Sequence, residues 1–204
     1  AHRGVLFLDE MPEFSRRSLE ILRQPLEDKV IRISRVYGTY DFPADFMLCA
    51  AMNPCPCGHY PDMNRCRCTP AQVMQYLGRI SQPLLDRLDL CAEVSPVDFE
   101  GLSSGRKGES TQTIRERVIC AQDIQRERYK IEGIQFNGEL SGAQIEKYCK
   151  MEKDARQLLK MAFQNMPFSA RAYHRILKVA RTIADMEATE SIHRHHIAEA
   201  LSYR

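Results

Sequence analysis

The apolar positions form short continuous runs in the first half of the chain and recur at helical spacing in the second half. Gly4–Leu8 and residues 46–52 are apolar runs that end in polar residues, a pattern typical of strands buried on both faces of a parallel sheet. After residue 110, apolar residues recur every three or four positions, which predicts helices. The chain is therefore predicted to combine an α/β part with an all-helical part.

Shorter patterns fill the α/β part. Leucines at spacings of three and four predict a helix of about three turns after the capping residue Ser15. Charged and β-branched residues alternate over Lys29–Arg35, and a return through Tyr40–Phe42 predicts a hairpin. We expect a loop over Cys55–Cys68, a helix over Pro70–Leu77 and a further short strand within Leu84–Val94.

Helix signals dominate the remainder. Ser110 or Thr111 caps the first predicted helix, and Ser141–Gln144 reads as a capping box before another. Later helices are expected around residues 155–162, 173–183 and 197–201. Ser103–Ser110 is typical of a flexible linker, and we set the boundary between the parts at residue 98, giving domains 1–98 and 99–204.

Composition excludes several classes of protein. The 204 residues are 44% hydrophobic and 27% charged, which excludes a wholly disordered chain. The net charge of +2 is too balanced to indicate nucleic acid or an anionic membrane by itself. No apolar run is long enough to span a membrane, so we expect a cytoplasmic protein with no membrane partner.

Polar side chains follow both buried strands. Asp9 and Glu10 end the first run and Asn53 follows the second, so all three are expected at the carboxyl edge of one sheet, where open α/β folds bind ligands. One carboxylate could orient Mg²⁺, a second could polarise the attacking water, and an amide could hold that water or the γ-phosphate of ATP. Solvated acids and a simple Asn-Pro turn are the alternatives.

Cysteines provide a second signal. Cys55, Cys57, Cys66 and Cys68 form two close pairs that could bind a structural Zn²⁺, with His59 as a substitute ligand. Free thiols or disulfides are the alternative. The other four cysteines, at positions 49, 91, 120 and 149, are interpreted as core residues, and the histidines at 193, 195 and 196 as surface residues.

Several segments together resemble the helix-2-insert clade of AAA+ ATPases. Gly4–Glu10 resembles a Walker B segment, Ala50–Pro54 a sensor-1 strand, Pro83–Leu90 an arginine-finger region and Phe168–Arg171 a sensor-2 helix start. The run Asn-Pro-Cys-Pro-Cys-Gly, with the later Cys-Arg-Cys, is similar to the magnesium-chelatase-like ComM (YifB) family of bacteria. The resemblance covers essentially all 204 residues.

The resemblance implies a fold and an activity. The fold would be α/β, the C-terminal half of an AAA+ P-loop NTPase core followed by an all-helical lid. The activity would be that of an ATP- and Mg²⁺-dependent ring motor, a homo-oligomer expected to be a hexamer, which acts on DNA by branch migration during recombination of transforming DNA. A zinc-stapled nucleic-acid-binding or scaffold module without catalysis, and a chelatase-type remodelling motor, remain alternatives.

Residue roles follow from the same resemblance. Asp9, Glu10 and Asn53 would act in catalysis, with Asp9 and Asn53 also binding the nucleotide. Arg87 would be an arginine finger from a neighbouring subunit; pairing with Asp86 or Asp89 is the alternative. Arg171 would contact phosphate, unless it is a solvated surface residue.

Two further features qualify this interpretation. The basic residues Lys29, Arg32 and Arg35 of the predicted hairpin could contact DNA phosphates in a ring pore, and a solvated face is the alternative. No Gly-Lys-Ser/Thr loop occurs, although such a loop cradles the phosphates in this family. The chain is therefore expected to be the C-terminal portion of the ATPase, with very weak or no ATP binding on its own.

Overall fold

The computed structural model describes residues 1–95, 103, 108–166 and 168–204. Contacts divide the chain into two compact units, Ala1–Leu88 and Asp89–Arg204. Helices and strands are both present, consistent with an α/β domain. The expected boundary at residue 98 and half of the expected linker, residues 104–107, lie outside the described residues.

The first unit contains a two-stranded parallel sheet. Strand β1 (Val5–Leu8) pairs with β4 (Met47–Ala50), and Leu8 lies opposite Ala50 at the end of the ladder. Parallel pairing is therefore confirmed. The prediction that both faces are buried is wrong, because Phe7 is 58% exposed and no third strand flanks this ladder in the described part of the chain.

Between these strands lie a broken helix and a hairpin. Ser15 caps α1 (Arg16–Ile21) by accepting the N–H of Ser18 at 3.1 Å, as its sequence pattern predicts. The expected three-turn helix breaks before α2 (Arg23–Asp28) because Pro25 has no N–H to donate to the carbonyl of the preceding turn.

The predicted hairpin is present. Strands β2 (Val30–Arg35) and β3 (Gly38–Pro43) pair in antiparallel register. Two of its three basic residues, Arg32 and Lys29, each form an ion pair with an aspartate, at 2.8 and 3.3 Å. Arg35 is exposed and has no ion pair among the described residues.

Two helices complete the first unit. The predicted helix α3 (Pro70–Leu77) begins with a capping box between Thr69 and Gln72. Helix α4 (Gln82–Leu85) follows, and the short strand expected within residues 84–94 is absent from the described residues. Instead of joining a ladder, the N–H of Cys91 donates to the carbonyl of Tyr203, both in the second unit.

The second unit is helical, as predicted. Ser110 and Ser169 act as side-chain caps, accepting backbone N–H groups at 3.1 and 3.2 Å. One hydrogen bond of the capping box expected at Ser141 is also present: the backbone N–H of Ser141 donates to the side chain of Gln144 at 2.9 Å. The helices include α5 (Thr111–Arg128), α6 (Gly142–Tyr148), α7 (Lys153–Asn165), α8 (Ala170–Met186) and α9 (Arg194–Ser202).

A polar network lies inside this helical unit. The buried carboxylate of Asp185 accepts hydrogen bonds from Arg128 at 2.9 Å, from Arg181 at 3.1 Å and from the amide of Asn137 at 2.8 Å. Arg181 is itself fully buried. Because a buried guanidinium needs a counter-charge, Asp185 fixes α5 and α8 relative to each other.

Of the described helices, none is long and apolar enough to cross a membrane.

We predict that Asp185→Ala lowers the free energy of unfolding by about 3–5 kcal/mol, because it leaves a buried arginine without its partner. Urea denaturation followed by circular dichroism at 222 nm measures this. The control, Asp123→Ala, removes an exposed pair with Arg126 and should cost less than about 1 kcal/mol. Equal losses in the two variants would contradict the assigned role of Asp185.

Candidate functional site

Backbone hydrogen bonds hold the two strand ends together beyond the ladder itself. The N–H of Ala51 donates to the carbonyl of Leu8 at 2.9 Å, and the N–H of Met11 donates to the carbonyl of Ala51 at 3.0 Å. The acidic pair Asp9–Glu10 therefore leaves the sheet beside the segment that leads to Asn53. All three predicted residues are exposed.

The backbone at the acidic pair is unusual. Glu10 has φ 50° and ψ 47°, in the left-handed region, which costs a residue with a side chain about 1–2 kcal/mol. Its N–H donates to Oδ1 of Asp9 at 3.0 Å, and a short 3₁₀ turn, Met11–Glu13, follows at once. The buried side chain of Met11 anchors that turn. Such local strain is a common feature of functional sites.

Tyr76 is a member of this region that the sequence analysis missed. Its side chain is 6% exposed on α3. Burial raises the pKa of Tyr76, and the nearby charges of Glu13 and Glu10 raise it further. The nearby backbone N–H of Asn53 favours the ionised phenol and so partly offsets the rise in the pKa of Tyr76. The phenol therefore links α3 to both halves of the predicted site.

Arg87 lies in the same unit and is partnered within the chain. Its guanidinium forms an ion pair with Glu27 and donates to the carbonyl of Pro83 at 2.7 Å, and its side chain is only 7% exposed. Asp86 and Asp89, the alternative partners considered from the sequence, bond to other side chains: Asp86 accepts from Gln82, and Asp89 pairs with Arg175.

Arg171 belongs to the second unit. It is the second residue of α8 and its side chain is exposed.

The four clustered cysteines converge, although up to 13 residues separate them along the chain. Sγ of Cys55 lies 3.4 Å from that of Cys57 and 3.8 Å from that of Cys66, and the Cys57–Cys66 separation is 3.6 Å. With Cys68, all four sulfur atoms lie within 4.8 Å of one another. Four thiolates at about 2.3 Å from a shared tetrahedral ion would be spaced similarly, so the set is compatible with Zn²⁺.

Backbone N–H groups point at these sulfur atoms. The N–H of Tyr60 donates to Sγ of Cys55 at 3.4 Å. Backbone donors at Arg67 and His59 lower the pKa of Cys57 to about 6, whereas burial and the neighbouring thiols raise that of Cys68 to about 12. Hydrogen bonds that favour a thiolate are what a cation site made of cysteines needs.

The remaining cysteines and the late histidines differ from their sequence interpretation. Cys149 is buried as expected, but the cysteines at 49, 91 and 120 are exposed. His196 is fully buried rather than on the surface. Its Nδ1 accepts the N–H of His193 at 2.9 Å and its Nε2 lies 3.0 Å from Glu187.

A second cluster of potential metal ligands comprises Glu187, His195 and His196. Because Nδ1 of His196 uses its lone pair to accept a backbone N–H, the proton of the neutral ring sits on Nε2. That nitrogen then donates to Glu187 and has no lone pair for a metal. The cluster therefore caps α9 as a hydrogen-bonded group.

Comparison with known proteins identifies matches over both units. The magnesium chelatase, subunit ChlI, family matches residues 1–102, and its C-terminal family matches residues 108–204.

Individual relatives match along the full chain. The chain is 47% identical to the uncharacterized protein YifB of Salmonella typhimurium, 46% to the competence protein ComM of Haemophilus influenzae and 45% to YifB of Escherichia coli. Each match covers 100% of this chain but only 39–40% of the relative. The chain thus spans about two fifths of the length of these proteins.

We predict a pH dependence that originates at Tyr76. With its pKa raised above the ordinary value near 10 in the folded state, this phenol contributes stability below about pH 10 that is lost as the pH rises through the folded-state pKa. Tyr76→Phe should therefore make the free energy of unfolding less dependent on pH between about 9 and 11. Tyr37→Phe, at an exposed hairpin residue, should leave the dependence unchanged; equal slopes for wild type and Tyr76→Phe would disprove the assignment.

Proposed function

Because the chain belongs to the ComM/YifB family of magnesium-chelatase-like proteins, we propose that it carries the catalytic carboxylates of an ATP-hydrolysing AAA+ ring motor. The observation that supports this most is the parallel ladder that ends at Leu8 and Ala50. It brings the backbone of Asp9–Glu10 beside the segment leading to Asn53. Ligands bind at this edge of open α/β sheets.

Each side chain then has a role. Asp9 would hold Mg²⁺, which neutralises phosphate charge when it is bound. Glu10 would accept a proton from the attacking water, and the amide of Asn53 would orient that water or the γ-phosphate. The phosphate-cradling loop would come from chain outside these 204 residues, because no Gly-Lys-Ser/Thr occurs here.

Two arginines would complete the site in the assembled ring. Arg87 would reach the γ-phosphate of a neighbouring subunit, exchanging its internal carboxylate, Glu27, for a phosphate. Arg171, at an exposed helix start, would contact phosphate. Hydrolysis would in this way depend on assembly of identical subunits into a ring, expected to be a hexamer.

We propose DNA as the substrate of the motor. The name of the Haemophilus relative refers to competence, which is the uptake of DNA, and the exposed hairpin carries Arg35 without an ion pair among the described residues. Stimulation of the ATPase by branched DNA would support this substrate over a metal-inserting protein partner.

We predict that Glu10→Gln in the full-length protein lowers the ATPase rate by at least about 100-fold while ATP binding persists, because only the base is lost. Arg87→Ala should lower it by about 10³-fold or more. Steady-state phosphate release measures both rates, and Glu93→Gln, an exposed residue, is the control.

Mixing the two inactive variants separates catalysis from folding. If Arg87 acts on a neighbouring subunit, mixed rings contain some interfaces with both groups intact, and activity should partly return. If the wild-type protein hydrolyses ATP and neither substitution changes the rate, the roles proposed for Glu10 and Arg87 are wrong. No hydrolysis by the wild-type full-length protein would instead favour the module without catalysis.

We further propose that the four clustered cysteines bind one structural Zn²⁺, which would fix a polar loop with little core of its own. The support is the convergence of four sulfur atoms within 4.8 Å and the N–H donors aimed at them. A zinc-stapled loop is compatible with either the motor or the non-catalytic module.

Metal analysis by mass spectrometry of freshly purified protein should find about one zinc per chain. Cys55→Ser and Cys66→Ser should each reduce that content strongly, because three ligands bind more weakly than four. Cys91→Ser, outside the cluster, should retain it. Less than one zinc per four wild-type chains would count against the site.

A further inference from the structure

A cleft of about 760 Å³ opens on the helical unit among α6, α7 and α8. Its volume is within the range of binding sites for small molecules or short polymer segments. Apolar side chains of Ile145, Leu159 and Leu177 contribute to its lining, and Phe163 and Tyr173 add aromatic rings.

Positive charge surrounds this cleft. Lys150, Arg156 and Lys160 all line it and are exposed, and none of the three forms an ion pair within the part of the chain that the structure describes. Arg156 and Lys160 are four residues apart on α7, about 6 Å along the helix axis. Glu146 is the acidic residue among the lining side chains, so the cations outnumber it.

Aromatic rings are grouped beside these cations. Phe163 and Tyr173 meet edge to face, with centroids 5.6 Å apart and an interplanar angle of 82°. The ring of His174 lies 5.7 Å from that of Tyr173 and also lines the cleft. Partly exposed rings next to unpaired cations are the combination that binds nucleobases and phosphates together.

We propose that this cleft binds a short segment of single-stranded nucleic acid, with its phosphates on the three cations and a base against Tyr173. An acidic peptide would use the cations but gain little from the aromatic group, so the rings favour nucleic acid. This inference extends the proposed action on DNA, and it rests on that proposal for the choice of a nucleic acid as the partner. It does not involve the acidic strand edge of the first unit, so the two can fail separately.

The test is fluorescence anisotropy of a labelled 20-nucleotide oligo(dT) with this chain and no ATP. The triple variant Lys150→Gln, Arg156→Gln, Lys160→Gln should weaken binding at least tenfold at low salt. It should also reduce the salt slope of the binding constant by about 2, since each lost phosphate contact removes about 0.7 from the slope for a single strand. A matched triple variant of other exposed cations, Arg126→Gln, Lys130→Gln, Arg194→Gln, should bind like wild type.

A second variant tests the aromatic contribution. Tyr173→Leu keeps an apolar side chain but removes the ring, and should weaken binding about tenfold without changing the salt slope. Circular dichroism of every variant verifies that the helices remain folded.

Four results would overturn the inference: no binding of oligo(dT) by wild type at 50 mM salt, equal binding by the two triple variants, unchanged affinity in Tyr173→Leu, or tighter binding of polyglutamate than of oligo(dT). The last would identify an acidic peptide as the partner. If the wild-type full-length protein hydrolyses no ATP while oligo(dT) still binds, that result counts against the proposed motor and not against the nucleic-acid site in this cleft.

Discussion

The parallel ladder between β1 and β4 is the constraint on which the candidate site depends. Forty-two residues separate Val5 from its partner Met47, yet the in-register pairing makes both strands end at the same edge. The next backbone bonds, to Ala51 and from Met11, extend this alignment past the strands. Two strands alone are marginally stable, so the ladder depends on the buried cluster that its end residue Leu8 joins. The other members of that cluster are Met11, Leu19, Ile80 and Leu84.

Much of the fold could be predicted because its signals are local. The helices after residue 110 follow apolar periodicity and serine caps, and both kinds of signal act within a few residues. The errors arise where the outcome depends on distant partners. The apolar pattern of β1 indicates a strand but cannot indicate that Phe7 remains exposed. Leu84 and Leu85 end a helix, and the described residues that follow them join neither two-stranded sheet. Pro25 is a local signal as well, and it breaks the helix even though the leucine periodicity continues across it.

Part of the candidate site could also be predicted because its signals are local in the sequence. The acidic pair and Asn53 were identifiable because polar residues directly follow apolar runs. Tyr76 was not, because an aromatic residue on the buried face of an amphipathic helix resembles any core residue until its hydroxyl is located. The partner of Arg87 was missed because Glu27 is 60 residues away, while two nearer aspartates were plausible. The convergence of the four clustered cysteines could be predicted from their spacing, because cysteine is a rare residue type with specific chemistry.

The left-handed backbone at Glu10 has a consequence for how this position can vary. Glycine would adopt that conformation without strain, whereas a β-branched residue would be more strained than glutamate. Selection for stability alone would therefore favour replacing the carboxylate, and selection for hydrolysis would retain it. With the role proposed for Glu10, this strand end illustrates a trade-off between robustness and activity: the chain tolerates a locally unfavourable geometry at the residue that would act on water.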